Sequence, residues 1–413
     1  MRTKGFFRTA VIVFLVLMVL GTGCSSRVSL DRGLKQVTKP YEFSLFKWEI
    51  GVAKDEFQQL VLKKSPVKDS DVASVEKFFT LNDEIKSLTA EMNAIKAGQK
   101  TGDLISLERE VTRLQEEKLA LGDRVEQVIE SQIRGALSDE GVYHPWDRYL
   151  KVKVGFPPVN FEMEKPPYLL IISPRERISR LKEVMLFPSL TLEEIESIEF
   201  GAEKLGVSAL VVELGGMATY PAFVDDAMDL SYTFESAAEE YLHQYLSFKP
   251  IGFLYNLHLM GIRRSDEVVT LNETVASMLG EELGAQVVKS YYAENVEAEE
   301  KTGESGFDFN REMREIRITV DGLLAEGMVS EAETFMVERR QFLLAHGYYI
   351  RKLNQAYFAF HGNYADSPSS VDPIGAEFRE LRDKSPSLKE FLAQSATITS
   401  REKLEKVLEK LGE

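Results

Sequence analysis

The sequence predicts an α+β protein in which helices dominate, and three observations predict it. Two long stretches carry residues, all but Lys118 apolar, at alternating spacings of three and four: Phe78, Leu81, Ile85, Leu88, Met92 and Ile95, then Leu107, Val111, Leu114, Lys118, Leu121, Val125 and Val128. With charges at the other positions, both read as heptad seams. Beyond Pro145, "YLLIIS" (Tyr168–Ser173) and "SALVVEL" (Ser208–Leu214) are short apolar runs of strand length. After about Ser231 the pattern returns to helical periodicity, over Thr233–Phe248, Glu267–Ala293, Phe309–Glu326, Ser330–Ala345 and Tyr349–His361, with an acidic, glycine-containing loop at 294–306.

Taken in order, the chain opens with the basic head "MRTKGFFR" and an apolar run, Thr9–Gly23. That run falls short of the ~20 residues a membrane-crossing helix needs and has the layout of a secretory signal peptide. It ends at Cys24, the only cysteine, which rules out an intramolecular disulfide. "LGTGC" resembles the lipobox of bacterial lipoproteins, although Gly21 stands where that pattern prefers Leu and Leu20 lies one place earlier. The resemblance implies a lipidated Cys24 as the mature N-terminus, with residues 1–24 as the signal segment. The alternative is a short uncleaved anchor. Either places the body outside the cytoplasmic membrane, in a bacterial cell envelope.

Residues 25–65 read as a membrane-proximal helical segment, with a helix over Tyr41–Lys64 that Pro66 ends. Residues 66–142 read as an antiparallel coiled-coil hairpin, turned at "AGQKTGD" (Ala97–Asp103) by two glycines and a polar run. It would serve as a stabilising stalk, or as a spacer or partner arm. Residues 143–413 form the α+β body, a small sheet leading into helices. Within it Thr191 is placed to cap a helix starting near Leu192, with Glu193 and Glu194 matching the helix dipole.

A net charge of −16 over 413 residues disfavours nucleic acid and anionic surfaces as partners. The chain carries no G-x-x-x-x-G-K-[ST] loop and no G-x-S-x-G elbow, so nucleotide hydrolysis and serine esterase chemistry lack a basis.

One constellation carries chemistry. In Glu239-Glu240-Tyr241-Leu242-His243 the first and last residues project from one helix face, with Glu240 beside them. Some thirty residues on, "LNETVASMLGEELG" supplies Asn272-Glu273-Thr274-Val275-Ala276 on a second helix. A solvated polar pair is the plain reading of the first stretch. Together, the two resemble the glutamate-type zinc peptidases, whose pattern is H-E-x-x-H followed by N-E-x-x-A. The resemblance implies His243 and Glu273 as metal ligands and Glu240 as general base. At position 239 this chain has Glu where the family has its first ligand His.

A Glu239–His243–Glu273 set remains chemically able to hold zinc, with a less acidic bound water, and admits manganese or iron. A vestigial site is the alternative. Upstream, "VVELGGMATYPAF" would supply an edge strand for a peptide or protein substrate, with Gly215-Gly216 admitting its backbone; a tight turn leaving the sheet is the other reading. Downstream, "IRKLNQAYFAFHGNYA" puts Asn354, Tyr357, His361 and Tyr364 on one helical stripe. It is similar to the late N-N-A helix and tyrosine of bacterial predicted aminopeptidases, which makes His361 and Tyr364 the expected oxyanion donors. His144, His258 and His346 read as structural. The sequence thus points to a membrane-anchored metallopeptidase-like protein, or to an inactive envelope lipoprotein that binds or scaffolds.

Overall fold

The computed structural model describes residues 28–44, 71–146, 149–293 and 307–412. Cys24 and the signal segment, most of the expected helix Tyr41–Lys64 and the acidic loop 294–306 lie outside the described residues. Helix α1 (Val28–Thr38) leads into Tyr41–Ser44, which is not the start of a helix: Glu42 forms a bridge with Leu186 and Phe43 N–H bonds to Met185. The sheet edge there offers unpaired backbone partners, and these win over local helical periodicity.

Helices α2 (Val72–Lys96) and α3 (Leu104–Leu119) form the hairpin. Lys96–Glu108 (3.5 Å) near the turn and Lys77–Glu117 (2.6 Å) at the base join the two helices in antiparallel register, and Lys100 of the turn pairs back to Glu91 of α2 (2.7 Å). Asp103 caps α3 by accepting from the N–H groups of Ile105 and Ser106. The second seam is not one helix. It stops at Leu119 and resumes as α4 (Gly122–Asp139), whose Val125 and Val128 are fully buried in the body. Gly122, the poorest helix former in that stretch, sits at the break. The first half of the seam therefore serves the hairpin and the second half the core.

Two three-stranded sheets follow β1 (Phe161–Met163), β2 (Tyr168–Pro174), β3 (Lys182–Leu186), β4 (Val207–Val212), β5 (Gly216–Met217) and β6 (Ala222–Val224). In the first, β2 lies between β3 and β4, antiparallel to both, with Ile171 opposite Leu210. Helix α5 (Leu192–Glu203) starts as expected at Thr191, in a full capping box with Glu194. It covers one face of this sheet together with α1, through Leu34, Ile198, Leu170 and Val211. The second sheet runs β1–β6–β5, with β1 parallel to β6 and β5 on the edge.

The rest is helical: α6 (Leu230–Leu246), α7 (Pro250–Leu259), α8 (Asp266–Tyr291), α9 (Phe309–Ala325), α10 (Val329–Ala345), α11 (Gln355–His361), α12 (Ile374–Lys384), α13 (Leu388–Ser395) and α14 (Arg401–Gly412). With fourteen helices and two small sheets among the described residues, the protein is predominantly α-helical α+β. Ala356, Ala359 and Phe360 of α11 pack on the second face of β2 and β4, against Ile171 and Leu210. Burial on both faces explains why those strands read as unbroken apolar runs. The helix expected over Tyr349–His361 begins only at Gln355, because Asn354 turns its side chain onto Tyr357 N–H and becomes the cap. Among the described residues no helix is long and apolar enough to cross a membrane.

Candidate metal centre

Helix α6 is capped by Asp229, which accepts from Tyr232 N–H, and its interior is almost wholly buried. Helix α8 is capped by Ser265 and runs antiparallel beside it. Gly280 and Gly284 set their closeness: a Cβ on Gly280 would lie 2.8 Å from Glu239 Cβ, and one on Gly284 2.7 Å from Glu235 N. Two glycines four apart remove the ridge that would hold the helices at ordinary separation. Two turns before Gly280, Glu273 is thereby brought opposite His243.

The three expected ligands converge. His243 Nε2 lies 3.5 Å from Glu273 Oε2 and 3.9 Å from Glu239 Oε1. One donor atom from each falls within 4.8 Å of the others. Two ligand atoms ~2.1 Å from a shared ion sit about 3.4 Å apart at the tetrahedral angle, so the two distances to His243 suit one cation. Glu239 is the most exposed of the three, its side chain 21 % exposed against 7 % for His243 and 9 % for Glu273. The donor set fits a divalent ion.

Neighbours hold these ligands in place. Asn272 Oδ1 lies 2.8 Å from His243 Nδ1 and is placed to accept a hydrogen bond from it; a proton held on Nδ1 leaves Nε2 to a metal. The Tyr255 hydroxyl donates to Glu273 Oε1 at 2.7 Å, and its ring stacks on His243 with centroids 5.5 Å apart. Arg180, from the β2–β3 connection, donates to the Ala359 and Phe360 carbonyls and to Glu183. Sequence reading gave roles to neither Tyr255 nor Arg180. Both come from segments with no motif, so only the fold could reveal them.

Charge is concentrated here. Burial alone would raise the Glu273 carboxyl, but His243 and the Tyr255 hydroxyl hold it down to about 2. Burial would lower His243, yet the two facing carboxylates push it well up. Glu240 is pushed well above the carboxylate range, first by burial and then by Glu239 and Glu273, so it is a strong base for its type. Burial and Arg180 lower His361 to about 4, and burial raises Tyr364. Both therefore stay neutral near pH 7, and both are hydrogen-bond donors.

Glu239, Glu240, His361 and Tyr364 share a cavity of about 330 Å³ between β5, α6, α8 and the turn after α11, with Gly216 and Asp366 also on its wall; His243 and Glu273 are not part of that wall. The expected stripe does not form as one helix. Helix α11 ends at His361, and Tyr364 reaches the cavity from the following turn. Asn354 instead donates to the Ala209 carbonyl, and Tyr357 packs in the core. The glycine pair is also crowded from within the protein. A Cβ on Gly216 would overlap the Glu240 carboxylate, and one on Gly215 the Tyr232 hydroxyl. Their smallness admits side chains of this protein as well as keeping the edge strand low.

A larger groove of about 760 Å³ runs along one charged face of α3 and holds no comparable cluster. The remaining histidines are engaged structurally. His144 bonds the Val152 carbonyl, His258 accepts from Ser265 N–H, and His346 is the C-cap of α10. No protein-family model matches this chain, no curated protein matches it, and neither does any solved structure.

Proposed function

We propose that this protein is a metal-dependent hydrolase acting on peptide bonds, with Glu239, His243 and Glu273 as ligands and Glu240 as general base. The observation that carries the reading is the convergence of the three donor atoms, with the Glu240 carboxyl next to Glu239 in the same helix and on the wall of the adjoining cavity. A divalent ion bound there, zinc or (given two carboxylate ligands) manganese or iron, supplies Lewis-acid activation of water and of a substrate carbonyl.

The protein's own groups do the rest. Glu240 takes the proton from the attacking water and passes it to the leaving amine. His361 and Tyr364, neutral and on the same cavity, donate hydrogen bonds to the developing oxyanion. The edge strand β5 offers backbone partners to an extended peptide, which supports a peptide or protein substrate. Extracytoplasmic placement, with the body tethered to a membrane through Cys24, belongs to the same proposal and rests on the N-terminal sequence.

A second reading, a tethered binding or scaffold module without activity, is favoured by one observation, Glu239 in the place of a histidine. Metal analysis of the purified full-length protein separates them. The hydrolase reading expects about one tightly held ion per chain, lost in His243→Ala and kept in Glu240→Gln. Peptidase activity should fall at least about 100-fold in Glu240→Gln. A parent protein that binds no divalent metal leaves the binding module standing.

A further inference from the structure

Resting on the metal reading above, the geometry points to a positioning role for Tyr255: we infer that its hydroxyl restricts Glu273 to a single ligating oxygen and so keeps the bound ion four-coordinate. The two oxygens of Glu273 are differently engaged. Oε2 faces His243 Nε2 at 3.5 Å, whereas Oε1 accepts from the Tyr255 hydroxyl at 2.7 Å. A carboxylate left free at both oxygens can chelate an ion, and large hard cations reward that by taking six or more oxygens. A hydrogen bond along one lone pair competes with chelation and favours the one-oxygen mode that tetrahedral zinc uses. With Glu239 and His243 supplying one atom each, three positions are filled and one stays open.

The fold holds Tyr255 to this task. Pro250 starts α7 directly after α6, and a Cβ on Gly252 would overlap the Leu246 carbonyl. This close return lays α7 across the end of α6, with the Tyr255 ring stacked on His243 at an interplanar angle of 18°. The hydroxyl is thus placed by both the ring contact and the helix. In a site with two carboxylate ligands, which on donor hardness alone would accept manganese or iron, this contact tilts selection back toward zinc.

The test reads coordination without needing activity. Metal-free full-length protein, Tyr255→Phe and His243→Ala are each titrated with Co²⁺ alone, followed by competition with Zn²⁺ and Mn²⁺. The parent should give the intense visible d–d bands of four-coordinate cobalt. Tyr255→Phe, which keeps the ring and its stacking, should give the weak bands of five- or six-coordinate cobalt. Its preference for Zn²⁺ over Mn²⁺ should fall about tenfold. An unchanged spectrum and metal preference in Tyr255→Phe overturn the role of Tyr255 while leaving the metal site intact. No cobalt in the parent, or cobalt retained by His243→Ala, overturns the metal site and this inference with it. If Tyr255→Phe fails to fold, zinc-edge X-ray absorption of the loaded parent decides: four near neighbours support the inference and five or six overturn it.

Discussion

Glu239 is the residue on which the proposed chemistry turns. It shares a helix face with His243, its carboxyl is pushed up by burial and by Glu273, and it stands where the peptidase pattern has imidazole. Replacing it by histidine exchanges an anionic ligand for a neutral one, which makes the ion a stronger Lewis acid and its water more acidic. Glu239→His is therefore expected to retain zinc and raise peptide hydrolysis at neutral pH about tenfold or more, read as kcat/KM on a peptide library. An unaltered rate would mean that the ligand exchange does not limit catalysis. That Glu239 and His243 share a helix face, with Glu240 beside them, was legible in the sequence because i, i+4 spacing on a helix is a local property; that Glu273 joins them was only what the resemblance implied. Tyr255 and Arg180 were not legible, because their contacts with the site cross segments that no spacing rule connects.

The element that carries the candidate site is the α6–α8 pair. Its separation is set by Gly280 and Gly284, residues that a reading of helix propensity counts only as weaknesses. Gly280→Ala places a methyl against Glu239 and should cost about 1–3 kcal/mol by overpacking. It should also weaken metal binding by moving Glu273 away from His243. Thermal melting and metal competition on the same variant check both. If stability falls and metal affinity does not, the glycine serves packing alone. Helix existence and extent along α6, α8, α9 and α10 followed from periodicity. The break at Gly122 and the late start of α11 did not, since each depends on a choice between a local pattern and a distant partner.

At the scale of the molecule, Glu199 joins parts far apart in the chain. Its carboxylate accepts from Val211 N–H at 2.7 Å and from Arg351 and Lys352, tying α5 to β4 and to the segment that leads into α11 and His361. Burial would raise it, but Arg351 and Lys352 hold it below the usual carboxylate range. A depressed folded-state value gives stability that is fully present above the unfolded value and lost as pH falls through the folded one. The parent should therefore lose stability below about pH 4.5 more steeply than Glu199→Gln. At pH 7 the variant should be about 2 kcal/mol less stable. Melting temperatures across pH 3–7 check the sign; parallel curves would show that the network contributes no pH dependence.

By itself the sequence determined the helical α+β class, the hairpin, the strands and which helices carry the Glu239–His243 and Asn272–Glu273 pairs. These follow from short-range periodicity, turn chemistry and capping, all of which act within a few residues. Only the tertiary structure decided that the two pairs meet, that Tyr255 and Asn272 orient them, and that His361 and Tyr364 reach the same cavity from different backbone settings. Such contacts depend on helix separation and on burial at long range, where a missing side chain at Gly280 or Gly252 matters as much as any that is present.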